Sequence, residues 1–335
     1  MTRSIRIGTR GSTLARWQAE TVARLIGDRG GPPTELVVIR TSGDEVGPGT
    51  PSTAPDALPS TGVAVKRLFV KEIEDALLDK RIDLAVHSSK DLPAILPDGL
   101  RLAATLPRED PRDAIVLPSS NATGGWDAVR ERLARGATIG TSSVRRIAAL
   151  RAAFPTAAFR PIRGNVDTRL RKLDDGECSA LVLAVAGLRR LEREARISAA
   201  IPADVMVPAP GQGIVAIEIA DDTASEVAEV VSRLNDPDAW DALVAERAVV
   251  QALGGGCQLP LGVLADIDGQ EIDIRGVVTS LDGSRVVRAS VRGNRGRAAV
   301  TGEKLASALM AAGAGEILTQ ALRDAAPDAP PSHTK

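Results

Sequence analysis

Lys66–Pro93 reads KRLFVKEIEDALLDKRIDLAVHSSKDLP. Phe69, Ile73 and Leu77 recur at i, i+4 and predict a helix over 66–80. Ile82–His87 (IDLAVH) then reads as a buried strand, and HSSKDLP as the loop that follows it. Upstream, Ser4–Thr9 (SIRIGT) alternates as a strand. Ser12 can cap a helix running to about Gly27, and Glu35–Thr41 (ELVVIRT) is a second strand. Strand and helix alternate throughout, which predicts an α/β domain with a largely parallel sheet. The break Gly47–Gly62 (GPGTPSTAPDALPSTG) has no periodicity and is expected to be a surface loop or lid.

Downstream the alternation repeats. Ala114–Leu117, Thr138–Gly140 and Ala180–Val185 read as strands, with helices starting near Ser143 and Val166. Val207–Gly213 (VPAPGQG) is a Pro/Gly hinge before a strand at Ile214–Ile219. After a helix around Asp236–Leu253, Val263–Val291 alternates apolar and polar residues, with turns at Asp268-Gly269 and Asp282-Gly283. That pattern predicts an antiparallel sheet, closed by one helix near Thr301–Leu322. The length allows two or three domains, and the tail from about 325 is expected to be disordered.

Composition narrows the chemistry. The 335 residues are 44% apolar and 25% charged, as in a soluble globular protein. The N-terminus has no apolar stretch of signal-peptide length and no run suits a membrane span, so a cytoplasmic protein is expected. Only two histidines, His87 and His333, are present, which excludes a multi-histidine metal site; no metal is expected. Tyrosine is absent and aromatics total 2%, which argues against nucleic-acid stacking. Arg outnumbers Lys 35 to 7, and residues 101–200 hold 17 Arg and one Lys against 11 Asp and Glu, a net +7. Arginine's planar fork matches carboxylates, so this segment points to a polyanionic ligand; solvated surface ion pairs are the plainer explanation.

Three strand-to-helix loops carry chemistry, at the ends of strands where α/β sheets bind ligands. GTRGS places Arg10 and Ser12 at a helix start. GTSSVRR (Gly140–Arg146) supplies Thr141, Ser142 and Ser143 with free backbone N–H groups, and Arg145 and Arg146 add charge: an anion site. In HSSKDLP, Asp91 stands beside Lys90 and before Leu92-Pro93, which favours extended backbone. It can act as an acid or as counter-ion to a developing cation, or be an ordinary turn aspartate. LGGGCQLP (Leu253–Pro260) sets Cys257 in a glycine loop, whereas the other cysteine, Cys178, precedes an apolar strand and reads as core.

In order, IGTRGSTLARWQ, LFVKEIEDALLDKRIDLAVHSSKDLP, GTSSVRR, RGNVDTRLRKL, LAVAGLRRL, PAPGQG and GGGCQLPLG span residues 5–262. Together they resemble the porphobilinogen deaminase (hydroxymethylbilane synthase) family. The resemblance implies a transferase of tetrapyrrole biosynthesis, acting as a cytoplasmic monomer without nucleic-acid or membrane partners. It joins four porphobilinogen molecules head to tail with release of ammonia, and water then frees hydroxymethylbilane. It also implies three domains: residues 1–108 with 212–232 and residues 109–211, like periplasmic binding proteins around a cleft, and residues 233–335, a small α+β domain.

By the same resemblance Cys257 anchors a dipyrromethane cofactor through a thioether, and Asp91 is the catalytic residue. Lys90, Lys66, Ser12, Thr141, Ser143, Arg145 and Arg146 would contact the cofactor. Arg10, Arg163, Arg169, Arg190, Phe69 and Gln212 would bind substrate. The chain departs from the family's KxGGKGLF pattern, reading GVAVKRLF, so Gly62 replaces a lysine and Ala64-Val65 a glycine pair. The alternative is a non-enzymatic two-lobed anion-binding protein, which leaves Cys257 without a role.

Overall fold

The computed structural model describes residues 3–41, 70–118, 125–254 and 259–325. The expected lid (47–62), Lys66, Phe69, Cys257 and the tail lie outside the described residues. The chain opens with β1 (Ile5–Thr9), α1 (Thr13–Asp28) and β2 (Thr34–Val38). It continues through α2 (Lys71–Leu78), β3 (Leu84–Ser88) and β4 (Leu100–Thr105). The described part of the helix expected over 66–80 thus begins at Lys71, and Ile73 and Leu77 are buried on it as the spacing requires.

A second unit follows: β5 (Asp113–Val116), α3 (Gly125–Leu133), β6 (Thr138–Gly140), α4 (Val144–Ala153) and β7 (Ala158–Arg160). Then come α5 (Val166–Asp174), β8 (Ala180–Ala184), α6 (Val185–Arg190) and β9 (Ala199–Ala200). The chain returns as β10 (Val215–Ala220), α7 (Ser225–Ser232) and α8 (Pro237–Ala252). It ends with β11 (Leu261–Asp268), β12 (Glu271–Thr279), β13 (Val286–Asn294), α9 (Ala298–Ala311) and α10 (Ala314–Ala325).

The first two sheets share one wiring, β2-β1-β3-β10-β4 and β7-β6-β8-β5-β9. Four strands in each run the same way, and the fifth, β10 or β5, runs against both its neighbours. Each sheet is thus largely parallel in direction, as the alternation predicts, with one strand reversed. The reason is topological: β5 and β10 are the strands reached across the link between the sheets, so each enters from the opposite end. The third sheet, β11-β12-β13, is antiparallel throughout, as expected. Its core joins Val263, Ile272, Ile274 and Val278 to Val249 of α8 and Leu305 of α9. The closing helix is two helices, bent by 85° at a break where Gly313 takes φ +95°.

The link between the first two sheets is a pair of chain segments bonded to each other. Glu109 N donates to Gly213 O (3.1 Å) and Leu106 N to Val215 O (3.0 Å). Gly213 has φ +90°, and a Cβ there would stand 2.2 Å from Glu109 O, so only glycine fits. Both segments are tied to the third unit by Glu246 of α8, a fully buried carboxylate. It accepts from Arg108 Nη1 (2.6 Å), Gly211 N (2.6 Å) and Ala265 N (2.8 Å). No single helix among the described residues is long and apolar enough to cross a membrane.

Candidate active site

β3 runs directly into a 3₁₀ turn, Ser89–Asp91. Ser89 N donates to Ile214 O (3.0 Å), and Gln18 Nε2 of α1 donates to Ser88 Oγ (2.9 Å), so the turn is tied to two elements. Asp91 itself sits in the turn; the extended geometry expected before proline falls on Leu92 (φ −70°, ψ 147°). Asp91 is half-buried, and its charge acts on Arg146 and Arg169.

Facing this turn is a residue that sequence reasoning missed. Asp113, at the start of β5, is fully buried. Its Oδ2 accepts from Arg145 Nη1 (2.8 Å), and its Oδ1 from Arg146 Nε (2.9 Å), Arg146 Nη2 (2.7 Å) and Gln212 Nε2 (3.1 Å). Burial alone would raise the Asp113 carboxyl. The charges of Arg145 and Arg146, with Lys90 further off, outweigh it and hold the group well below the usual carboxylate range. Lys90 Nζ reaches Gln212 Oε1 (3.4 Å), so Gln212 bridges Lys90 to Asp113. The only local signal was an aspartate before an apolar run, PRDAIVL; its partners lie too far along the chain to form a motif.

The GTSSVRR loop differs from expectation. Ser143 caps α4, its Oγ accepting from Arg146 N, and Thr141 Oγ1 accepts from Ser143 N (3.2 Å). Ser142 Oγ donates to Ile162 O (3.2 Å). These hydroxyls cap the helix and the preceding turn, so the N–H groups they take are not free for an external anion. The positive charge of the loop comes from Arg145 and Arg146, which already enclose Asp113 and donate to Val207 O and Val182 O, both at 2.8 Å. Two guanidiniums around one carboxylate still leave the cluster cationic.

Arg169 of α5 is pulled down to about 10 by burial and by Arg146, against the opposing charge of Asp91. Arg190 at the end of α6 is likewise pulled down to about 10 by burial, against Glu109. Both remain cations at neutral pH. Arg190 Nη2 donates to Gly213 O (2.6 Å), and its guanidinium lies over Trp17, 5.8 Å from the ring centroid. Arg10 stands half-buried at the turn before α1, where Ser12 is the cap, its Oγ accepting from Ala15 N (3.3 Å). Arg163 is exposed on the β7–α5 loop, and no described contact joins it to the centre. The structure thus gathers Lys90, Arg145, Arg146 and Gln212 around Asp113, with Asp91 acting on Arg146 and Arg169 beside them.

His87 points into the core of the first sheet, its Nε2 3.0 Å from Glu218 Oε2. Cys178 is buried, and burial pushes its thiol up, which fits a core residue.

The architecture defines a class, a two-lobed α/β protein with a small antiparallel-sheet third unit. Among solved structures it resembles the Bordetella pertussis BvgS VFT2 domain, with TM-score 0.41 and 13% identity over 69% of this chain and 86% of that one. It also resembles a TRAP periplasmic solute binding protein from Ochrobactrum anthropi, with TM-score 0.40 and 11% identity over 74% and 77%. Two family models match: "Porphobilinogen deaminase, dipyromethane cofactor binding domain" over residues 5–228 and "Porphobilinogen deaminase, C-terminal domain" over 240–311. The porphobilinogen deaminase of Bordetella parapertussis is 46% identical over 318 residues, 94% of this chain and 96% of that protein. That of Chromobacterium violaceum is 43% identical over 95% and 98%. The chain belongs to the porphobilinogen deaminase family.

Proposed function

We propose that this chain is a hydroxymethylbilane synthase, a transferase that condenses four porphobilinogen molecules, releases ammonia and frees hydroxymethylbilane, working as a cytoplasmic monomer. The observation that carries the reading is Asp91, a carboxylate on a braced turn, set against Arg146 and Arg169 in a centre rich in cations. The donor set fits a dipyrromethane. Its acetate and propionate groups need several cations, and Lys90, Arg145, Arg146 and Arg169 outnumber the carboxylates of Asp91 and Asp113.

When bound, the dipyrromethane supplies the nucleophilic pyrrole end on which the chain is built. Cys257, in its glycine loop, is the proposed thioether anchor. Lys90, Lys66, Ser12, Thr141, Ser143, Arg145 and Arg146 are proposed to hold its side groups, with the hydroxyls acting through the helix heads they cap. Arg10, Arg163, Arg169, Arg190, Phe69 and Gln212 are proposed to orient substrate. Asp91 holds the proton at the substrate's departing amine, and its negative charge then stabilises the cation developing on that substrate. Asp113 fixes the directions of Arg145 and Arg146 so that they present a preorganised cationic surface. The three sheets support three domains, residues 1–108 with 212–232, 109–211 and 233–335.

The test is incubation of the purified protein with porphobilinogen, together with intact-mass analysis and peptide mapping. Hydroxymethylbilane, ammonia and an adduct on Cys257 are expected. An unmodified protein that binds porphobilinogen without turnover would instead support the anion-binding alternative.

A further inference from the structure

Arg190 and Trp17 belong to different sheets. Trp17 lies on α1 of the first, and Arg190 closes α6 of the second. The two helices are neighbours there: a Cβ at Gly187 would make ordinary van der Waals contact with Leu14 Cδ2, at 3.7 Å. Across this gap the Arg190 guanidinium lies over the indole of Trp17. Its Nη2 donates to Gly213 O, in the link between the sheets. That bond uses one of the five N–H groups of the guanidinium, and stacking on the ring face uses none. The next residue, Gln18, bonds Ser88 at the foot of the Asp91 turn. One turn of α1 therefore braces both the loop bearing the carboxylate and an arginine from the opposite lobe.

We propose that Trp17 is a positioning residue: its ring holds the Arg190 guanidinium so that its remaining N–H groups meet a carboxylate of porphobilinogen or of the growing chain, and this stack joins α1 to α6 across the two lobes. The proposal rests on the function proposed above. A cation held by a ring face loses little by way of N–H groups and is spared a search through rotamers, so it binds a carboxylate at less entropic cost.

The test compares Trp17→Ala and Trp17→Phe with the parent enzyme. With Trp17→Ala, KM for porphobilinogen is expected to rise about 5- to 30-fold with kcat within about 2-fold, the signature of lost binding common to ground and transition states. Trp17→Phe, which keeps a ring face, is expected to recover most of the affinity. Thermal midpoints of both variants are measured alongside. An unchanged KM, or a fall in kcat that tracks the midpoint and is not recovered by Phe, overturns the proposal.

A second arm needs no substrate. In a Trp126→Phe, Trp240→Phe background Trp17 is the sole indole, and Arg190→Leu is expected to change its emission. Unchanged emission overturns the stack itself. A parent protein that makes no hydroxymethylbilane overturns the functional reading, and with it the substrate role of the pair, whatever the emission arm shows.

Discussion

Asp113 and Asp91 both act on Arg146 but do different work. Asp91→Asn keeps size and turn geometry while removing a proton carrier and a negative charge. Product formation is expected to fall about 10²–10⁴-fold, while Asp98→Asn, on the neighbouring loop, leaves it near parent level. Near-parent turnover by a stable Asp91→Asn protein would return Asp91 to the role of a turn aspartate. Asp113→Ala strands two buried guanidiniums and is expected to cost about 3–5 kcal/mol in denaturant unfolding. Its pH dependence follows from the same contacts. Unfolded, the carboxyl titrates near 4; folded, it titrates well below that. The ionised form is favoured by the fold, so its contribution is whole above about pH 4 and is lost as pH falls further. Acid titration of stability should show a component in the parent that is absent from Asp113→Ala. Of the two aspartates only Asp91 was singled out in the sequence, as a loop aspartate beside a lysine and before Leu-Pro, and its catalytic role came from the family resemblance. Asp113 becomes visible only when α4 and the hinge close over it.

The elements were legible where a period ran long enough and a cap marked the end. Ser12, Ser143 and Asp236 each cap the helix expected to follow. The three-residue β7 and two-residue β9 carry too few side chains to show any period. The long Ala-rich stretch after 298 reads as one helix because isolated glycines are compatible with a continued helix, as at Gly302 and Gly315 and, by pattern alone, at Gly313. Its positive φ is what divides α9 from α10. The parallel pairing was read from alternation alone, which cannot tell from which end a strand enters a sheet. In the link between the sheets, the glycine at 213 is a requirement of space. Gly213→Ala would drive a methyl group into Glu109 O and force a left-handed φ on a residue with a Cβ. It is expected to lower stability by at least about 2 kcal/mol and to slow turnover by displacing Gln212; denaturant melts and a product assay together check both.

At the scale of the molecule, three units meet on one carboxylate. Glu246→Ala would leave the half-buried Arg108 without its carboxylate partner and two backbone N–H groups unsatisfied, for an expected loss of about 3–5 kcal/mol. Because the contact joins separate units, their cooperativity should suffer too. Unfolding followed by far-ultraviolet dichroism and by tryptophan emission is expected to coincide in the parent and to separate in the variant. Coincident, unshifted transitions would show that apolar contacts alone hold the third unit in place.

The position of β10 in the first sheet also sets a timetable for synthesis. β4 ends at Thr105, but its neighbour β10 begins at Val215, after the whole second sheet has been made. A chain leaving the ribosome at ~5–20 residues per second holds an incomplete first sheet for on the order of ten seconds, with the edges of β3 and β4 unpaired. The second unit can close on itself within that interval. Nascent chains stalled with about residue 205 just outside the exit tunnel are expected to resist protease in the second unit and to be cut in the first. Stalling beyond Ala220 should protect both.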